Sequence, residues 1–395
     1  MFERTPIVSG SVSLWAESLG GASLFAVEDH PLASLVTGVV GGSGFETVSA
    51  GELDGYLSTR TATLAPYIAD YTEGFEGGAG TDDVETLLQL LHLAVTEPSV
   101  DEIVLRSALV DAEAVVALLE TDPGLRAEAA LGAALVTEPA RAGFPTEAHL
   151  ASVSADHLLD LYRARLGTVD DLIVTIVGDA EPSAIAELAD RYVGTLPAGP
   201  TDTFVDRSAP PPSNIQRIDI PLPEGSGDAG FLLRWETRTI PENAAPTAAV
   251  AGEVISRLIF ETAREELGAS YGGGASAFVF ETPHRGLGGF VSIDGDPARL
   301  DEIQDLLFDD LGRLARVGPT DDELDRAVAV LVDDLQFINN VEIQEELMHT
   351  ERFGEAPALS IADRVGLVGE VSAQEVRELI AALFTLDAYL EIRRS

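Results

Sequence analysis

The chain has 395 residues, 46% of them hydrophobic, which is enough to bury a core and too long for one ordinary domain. Acidic residues outnumber basic ones by 67 to 24, and the resulting net charge of −43 argues against binding to nucleic-acid phosphates. The sequence has no cysteine, which excludes disulfides, thiolate zinc sites and thiol catalysis.

No apolar run reaches the roughly 18 residues that a membrane span needs. The first residues show no basic region followed by an apolar core, which a signal peptide would have. The sequence therefore predicts a cytoplasmic protein that binds neither membranes nor nucleic acids. An acidic excess of this size is typical of an acidic, salt-adapted proteome, and it also favours the approach of cationic partners.

In chain order, the first half predicts a strand-rich start, one long helix and a closing helix–strand pair. Hairpin-like strands are expected within residues 11–25, and a long helix is expected at about 99–121. An amphipathic segment at 153–161 predicts a further helix, and the β-branched run at 172–177 predicts a strand.

A break follows at residues 198–214, a polar stretch that contains four prolines. Proline cannot continue a helix or a central strand, so this stretch is expected to be a linker. The predicted boundaries are 1–200 for a first domain, 201–214 for the linker and 215–395 for a second domain.

The second half repeats the order of elements seen in the first. Hairpin-like strands are expected within 215–235, and an apolar stripe predicts a helix at about 248–267. A long helix is expected at about 320–339, and a late helix and strand are expected at 371–379 and 388–392.

Two pairs of equivalent positions indicate an internal duplication. Val153 and Val371 each open a Val-Ser-Ala segment, and Pro98 and Pro319 each precede a long helix. Both pairs are about 220 residues apart, a spacing typical of a repeated domain. Because strands and helices are segregated within each copy, we expect an α+β fold. Each of two homologous domains would contain a mainly antiparallel sheet with helices packed on one face.

The histidines do not form a zinc-peptidase motif. None of the six stands in H-E-x-x-H or H-x-x-E-H. Glu346 and His349 are three residues apart on a predicted helix and could supply two ligands of a carboxylate-rich site. A second such pair is missing, so a solvated helix is the favoured interpretation. The chain is predicted to hold no metal and no cofactor, and a complete peptidase with an unrecognised metal site is a remaining alternative.

Arg264 and Tyr271 stand at a predicted helix–strand junction, with six residues between them. From the residues alone, the arginine favours a helix C-terminus and the tyrosine favours a half-buried strand. A guanidinium fork and a phenol could also hold a peptide carbonyl and stabilise an oxyanion. Both interpretations stay open on the residues alone.

The junction at 256–271 resembles one in the C-terminal half of insulinase/pitrilysin family zinc peptidases. That family carries an Arg and a Tyr at this spacing. Residues 65–77 followed by 83–92 resemble the third domain of its pitrilysin-like branch, and so do residues 176–179 followed by 191–197. Together these stretches extend the resemblance over nearly the whole chain.

In that family, four related α+β domains form two bowl-shaped halves around a chamber, and the first half carries H-x-x-E-H. The corresponding place here, residues 33–37, contains Ala-Ser-Leu-Val-Thr, with no ligand and no general base. The resemblance therefore implies the third and fourth domains only. It implies auxiliary catalytic roles for Arg264 and Tyr271 in substrate and oxyanion binding, with zinc expected in a partner half.

The function that the resemblance implies is the substrate-binding, zinc-free half of a two-part metallopeptidase. It would degrade unfolded peptides in a closed chamber, and this chain would be inactive without a zinc-bearing half, supplied as a separate subunit or within a longer chain. The alternative is a non-catalytic structural or partner-binding subunit of the same fold, as in the respiratory-complex core proteins that resemble the family. The two differ in whether Arg264 and Tyr271 face an open chamber or a packed interface.

Overall fold

The computed structural model describes all residues except 6, 170, 224–228, 262–269, 336–339 and 354–360. Their contacts form two compact units, each discontinuous in sequence. The first unit comprises Met1–Leu118, Ala140–Arg207 and Ile338–Ala358, and the second comprises Leu119–Pro139, Ser208–Phe337 and Leu359–Ser395. The predicted boundaries 1–200, 201–214 and 215–395 stay a prediction. The chain passes from the first unit to the second between Arg207 and Ser208, which lie within the predicted linker.

The strands are numbered in chain order. They are β1 (Phe2–Arg4), β2 (Ser11–Leu19), β3 (Gly44–Phe45), β4 (Val48–Ser49), β5 (Thr63–Ile68), β6 (Thr72–Gly80), β7 (Ile173–Gly178), β8 (Gln216–Ile220), β9 (Gly230–Thr237), β10 (Ser270–Phe280), β11 (Gly286–Gly295) and β12 (Leu390–Arg394).

The α-helices are numbered in the same way. They are α1 (Ala33–Gly42), α2 (Ala50–Leu57), α3 (Val84–Thr96), α4 (Glu102–Leu118), α5 (Pro123–Ala134), α6 (Glu147–Ser152), α7 (Ala155–Leu166), α8 (Pro182–Tyr192), α9 (Ala244–Ile259), α10 (Leu300–Val317), α11 (Asp321–Asp334), α12 (Asn340–Phe353), α13 (Ile361–Gly369) and α14 (Ala373–Leu383). Over the described part of the chain, no helix has both the length and the apolarity that crossing a membrane requires.

The two units contain five-stranded sheets with the same strand order. In the first unit the order is β1-β7-β2-β6-β5, and in the second it is β8-β12-β9-β11-β10. Each sheet has one parallel pair, β1 with β7 and β8 with β12, and its other neighbours are antiparallel. The mainly antiparallel α+β fold is confirmed, and the shared order supports the duplication.

The hairpin predictions are wrong in topology. Residues 11–25 form the single strand β2 and a short 3-10 turn at Gly21–Leu24. In the second unit, β8 and β9 do not pair with each other, because β12 lies between them. The local alternation of polar and apolar residues does not reveal a partner strand so far along the chain.

Side-chain hydroxyls fix where several predicted helices begin. Ser154 caps α7 by accepting the backbone N–H of His157. Thr320 and Ser372 form capping boxes with Glu323 and Glu375, which start α11 and α14. Such caps satisfy backbone N–H groups that have no partner inside the helix. The helix predicted at about 248–267 begins earlier, at Ala244, and its last predicted turns extend beyond the described residues.

The main helical layer covers one face of each sheet. In β2, Val12, Leu14 and Ala16 point to that face and are at most 1% exposed. In β9, Phe231, Leu233 and Trp235 occupy equivalent places and are at most 2% exposed. Burying a large apolar side chain contributes about 1.5–3 kcal/mol, so the alternation of each strand determines which face receives the helices.

The opposite face of each sheet carries one helix from the other half of the sequence. α12, near the end of the chain, packs on β7 and β2 of the first sheet. α5, early in the chain, packs on β8 and β12 of the second sheet. The strands at the centre of each sheet are therefore buried on both faces.

Candidate functional site

The predicted Arg/Tyr site lies where the chain passes from α9 to β10. Along α9, Val250, Val254 and Ile255 form a stripe that is at most 1% exposed, which fixes the helix on the second sheet. Arg264 lies outside the described residues. Tyr271 is the second residue of β10, and the structure describes its backbone.

The backbone at Tyr271 forms an irregularity in the sheet. Ser270 pairs with Gly295 and Gly272 pairs with Asp294, so Tyr271 is the extra residue between two consecutive pairs. An extra residue of this kind is a β-bulge, which bends a strand and is frequent at sheet edges and beside active sites. β10 is an edge strand of the second sheet, so the bulge lies at the sheet boundary.

Two exposed glycines, Gly272 and Gly273, follow the bulge. A Cβ added at Gly272 would meet nothing within 4 Å, whereas one added at Gly273 would lie 2.9 Å from the carbonyl oxygen of Ser292. The residue after Tyr271 therefore leaves space on its side-chain side, while the next residue lies close to β11.

Further along β10, the hydroxyl of Ser256 on α9 bonds to backbone groups at the edge of the strand. Ser256 Oγ accepts the N–H of Ala275 at 2.8 Å and donates to the carbonyl oxygen of the same residue at 3.1 Å. Gly252 lets the helix come close, because a Cβ there would lie 2.9 Å from the nitrogen of Ala277. An incoming strand cannot use the backbone groups of Ala275 while Ser256 holds them.

The place that corresponds to the zinc motif lies on α1. Residues 33–37 form its first turns, and α1 packs against α7 and β5 of the first unit. Thr37 Oγ1 donates to the carbonyl oxygens of Ala33 and Ser34, at 3.3 and 3.2 Å. The five side chains supply neither imidazole nor carboxylate. These residues therefore do not fit a zinc ion.

Histidines elsewhere in the first unit pair with single carboxylates. His157 lies 2.8 Å from Asp29, and His30 lies 3.6 Å from Asp70. Burial lowers the pKa of His30, and the charge of Asp70 opposes that shift. Within the described ranges, no group of three or more His, Asp or Glu side chains could hold a metal ion.

Glu346 and His349 lie on α12, as predicted, but the solvated-helix interpretation is wrong. Both side chains are half-buried because α12 packs on the first sheet. The ring of His349 packs on Phe353, with centroids 4.7 Å apart. The sequence predicted the helix but gave no sign of the distant sheet that covers it.

Sequence reasoning also missed a polar network beneath α12. Trp15 Nε1 donates to the Tyr67 hydroxyl at 2.9 Å, and that hydroxyl donates to Glu17 Oε2 at 2.9 Å. Arg352 of α12 forms an ion pair with the other oxygen of Glu17. Burial, and then the charge of Glu17, raise the pKa of Tyr67, so its hydroxyl stays protonated. The network anchors α12 on the first sheet.

A second buried ion pair lies at the edge of the first unit. Arg165 donates from Nε to Glu73 at 2.7 Å and from Nη1 to Asp202 at 2.9 Å. Glu73 also accepts the N–H of Gly21 at 3.0 Å. A Cβ at Gly20 would lie 2.1 Å from Arg165, and the φ of Gly20 is +137°, so glycine is required there. This cluster ties part of the predicted linker to the first unit.

The comparison with family models agrees with the family resemblance. A family model described as the peptidase M16 inactive domain matches residues 152–331. The resemblance to the C-terminal half of insulinase/pitrilysin peptidases is thereby confirmed. The comparison with curated proteins found no match.

Solved structures share the fold over the whole chain. A mutant of the ferredoxin protease FusC, in complex with Arabidopsis ferredoxin, has a TM-score of 0.81 and 20% identity, covering 100% of this chain and 43% of that chain. The periplasmic protease PqqL from Escherichia coli has a TM-score of 0.80 and 15% identity, with coverage of 98% and 43%. A peptidase M16 inactive domain from Pseudomonas fluorescens has a TM-score of 0.81 and 17% identity, with coverage of 100% and 94%. This chain therefore spans less than half of the length of FusC and PqqL.

Proposed function

We propose that this chain is the substrate-binding, zinc-free half of a two-part metallopeptidase that degrades unfolded peptides inside a closed chamber. One observation carries the proposal. Residues 152–331 match the M16 inactive domain, and residues 33–37, which the sequence resemblance aligns with the zinc motif, contain none of its ligands. Zinc and its activated water would come from a partner half. The chains of FusC and PqqL are long enough to include such a half, because this chain covers only 43% of each. Alone, this chain would be inactive.

Arg264 and Tyr271 are the side chains that we propose to act on the peptide. The arginine would hold a substrate carbonyl with its permanent charge, and the tyrosine hydroxyl would donate to the oxyanion that forms during hydrolysis. Support comes from the β-bulge at Tyr271, which lies on the edge strand of the second sheet. Such bulges are frequent at sheet edges and beside active sites.

The substrates would be extended, unfolded peptides, with a preference for basic ones. A net charge of −43 raises the local concentration of cationic ligands. Neutral and basic peptides of equal length should then differ in kcat/KM, with the basic peptide cleaved faster at low salt. Equal rates would remove this part of the proposal. The cytoplasmic location stays a prediction.

The test is a kinetic comparison on the chain assembled with its zinc-bearing half, using a quenched unstructured peptide. Removing one oxyanion donor costs about 10²–10³ in kcat, so Tyr271→Phe and Arg264→Ala should each reduce kcat by about that factor. Tyr56→Phe and Arg106→Ala, which change exposed residues of the first unit, are matched controls and should leave kcat unchanged.

The alternative function gives a different result. If the complex forms and cleaves at the same rate with Tyr271→Phe and Arg264→Ala, the pair has no catalytic role. If the complex forms and cleaves nothing, the chain is a structural or partner-binding subunit of the same fold.

A further inference from the structure

A cavity of about 170 Å³ lies beneath α2 in the first unit. The end of α1, the β3–β4 hairpin, α2, β5 and α3 contribute to its walls. The wall residues that matter most are Phe45, Leu53, Leu57, Leu64 and Leu90, together with the carboxylate of Asp54.

The helix over this cavity is well formed but poorly packed. Ser49 and Glu52 form a capping box that fixes its start. Yet α2 has no fully buried residue, and its apolar stripe of Ala50, Leu53 and Leu57 is half-buried and lines the cavity. An amphipathic helix normally buries such a stripe in a core. Here the stripe faces a space that a ligand can fill.

The connection that carries α2 is longer than its counterpart in the second unit. In the first unit, residues 43–62 connect α1 to β5, and they include the hairpin and α2. In the second unit, residues 260–269 separate α9 from β10, and most of them lie outside the described residues. Two of the elements that line the cavity, β3 and α2, belong to the longer connection.

The lining is apolar with one charge. Asp54 is exposed, and among the described lining residues it is the only charged one. The hydroxyl of Tyr162, which also reaches the lining, is already used because it donates to the carbonyl oxygen of Ala94 at 3.0 Å. A ligand would meet apolar side chains, polar main-chain atoms and one carboxylate, and the strongly acidic chain favours a cation beside that carboxylate.

We infer that the cavity binds a small apolar amine: an aromatic ring or branched aliphatic group with an ammonium held by Asp54. The size fits, because in other proteins an apolar cavity of about 150 Å³ stays dry and binds benzene. The same chemistry occurs in free amines and at the amino terminus of a peptide that begins with an apolar residue. The site is independent of the proposed peptidase role.

Calorimetric titration of the full chain tests the site. Benzylamine should bind with a dissociation constant near ~1 mM, benzyl alcohol more weakly, and benzoate most weakly. Leu53→Trp, which fills the cavity, should abolish binding. Asp54→Asn should weaken the binding of benzylamine by roughly two- to fivefold, as expected for one exposed ion pair. The binding of benzyl alcohol should stay unchanged. Asp111→Asn, a neutralisation on α4, is the control and should have no effect.

Circular dichroism and the melting temperature show whether Leu53→Trp is folded, and Ala50→Phe provides a second filling variant. Phenylalanine amide and its acetylated form distinguish the sources. Binding of the free amide that acetylation abolishes favours a peptide amino terminus, whereas binding of benzylamine alone favours a free amine. Absence of binding, or binding that both filling variants leave unchanged, would overturn the inference.

Discussion

The two sheets share their strand order, yet the faces beneath their exchanged helices differ in chemistry. Under α5, the second sheet is apolar, and the residues in contact are Ala127, Ala130, Leu131, Ala134, Leu135, Ile218, Ile220, Leu232, Leu390 and Ile392. Under α12, the first sheet presents Glu17, Tyr67 and Thr175. Glu17 accepts from Arg352 and from the Tyr67 hydroxyl, and the carbonyl oxygen of Thr175 accepts from Gln344. One face is an ordinary core, and the other is a buried polar network.

This difference bears on how a duplicated protein places two equivalent helices. If α12 lay on the apolar sheet, Arg352 would be buried without the carboxylate of Glu17. That arrangement would carry the cost of an unpaired buried charge. Buried polar groups can specify one arrangement among near-equivalents at the expense of stability, and the network beneath α12 has the geometry for this.

The edges of the sheets differ as well. β5, the edge strand of the first sheet, contains Pro66, which has no N–H to offer to another strand. β10, the corresponding edge in the second sheet, has Ser256 bonded to both backbone groups of Ala275. Both devices protect an edge from pairing with other chains.

The largest effect is expected from breaking the ion pair beneath α12. Arg352→Leu leaves Glu17 buried and unpaired, and this should lower the free energy of unfolding by about 3–5 kcal/mol. Urea denaturation measures it. Trp15 lies in the first unit and Trp235 in the second. When one of them is replaced by Phe, the fluorescence of the other reports the unfolding of its own unit.

The matched control removes both partners. Glu17→Leu combined with Arg352→Leu replaces the pair with apolar side chains and should recover most of the lost stability. The remaining loss reflects the Tyr67 hydroxyl, which no longer has Glu17 as its acceptor. Equal losses in the single and double variants would show that packing of the arginine stem, rather than the charge pair, holds α12.

The apolar face should respond to loss of volume instead. Leu390→Ala removes a side chain that is 2% exposed beneath α5, and we expect a loss of about 2–4 kcal/mol from the cavity and the lost burial. Leu386→Ala, at a residue 41% exposed, should change stability by less than about 0.5 kcal/mol. Similar losses in both would mean that α5 contributes little to the second unit.

Removing one hydroxyl should have a smaller effect. Tyr67→Phe deprives Trp15 Nε1 of its acceptor and Glu17 of a donor, which should cost about 1–3 kcal/mol. The fluorescence of Trp15 should shift because its indole N–H loses a partner. An unchanged spectrum and unchanged stability would show that the network does not extend past the ion pair.

The smallest effect on stability is expected at the edge of β10. Ser256→Ala frees both backbone groups of Ala275 and should cost about 1–2 kcal/mol. It should also promote association of chains at high concentration, because the exposed edge can pair. Sedimentation velocity at increasing concentration detects this. Ser276→Ala is the control, and equal behaviour of the two variants would remove the protective role of Ser256.

Local signals predicted the repeated elements well. Ser154, Thr320 and Ser372 start helices at predicted places because a hydroxyl cap acts within three residues. The resemblance to the family was confirmed, whereas the roles of Arg264 and Tyr271 stay a proposal.

Contacts between distant segments could not be predicted. Glu17 and Arg352 are 335 residues apart in sequence, and neither has a neighbour that signals the other. The same holds for β12, which inserts between β8 and β9, and for the cavity beneath α2, whose walls come from six elements. In each case tertiary packing decides the outcome, and the local pattern does not contain it.

The most direct measurement is zinc-dependent cleavage of a quenched unstructured peptide, together with zinc content, for this chain alone and for this chain assembled with the H-x-x-E-H half. We expect this chain alone to show no activity and no stoichiometric zinc, and we expect the assembly to show activity that a chelator abolishes. Stoichiometric zinc and cleavage by this chain alone would contradict the two-part peptidase, because the enzyme would then be complete without a partner.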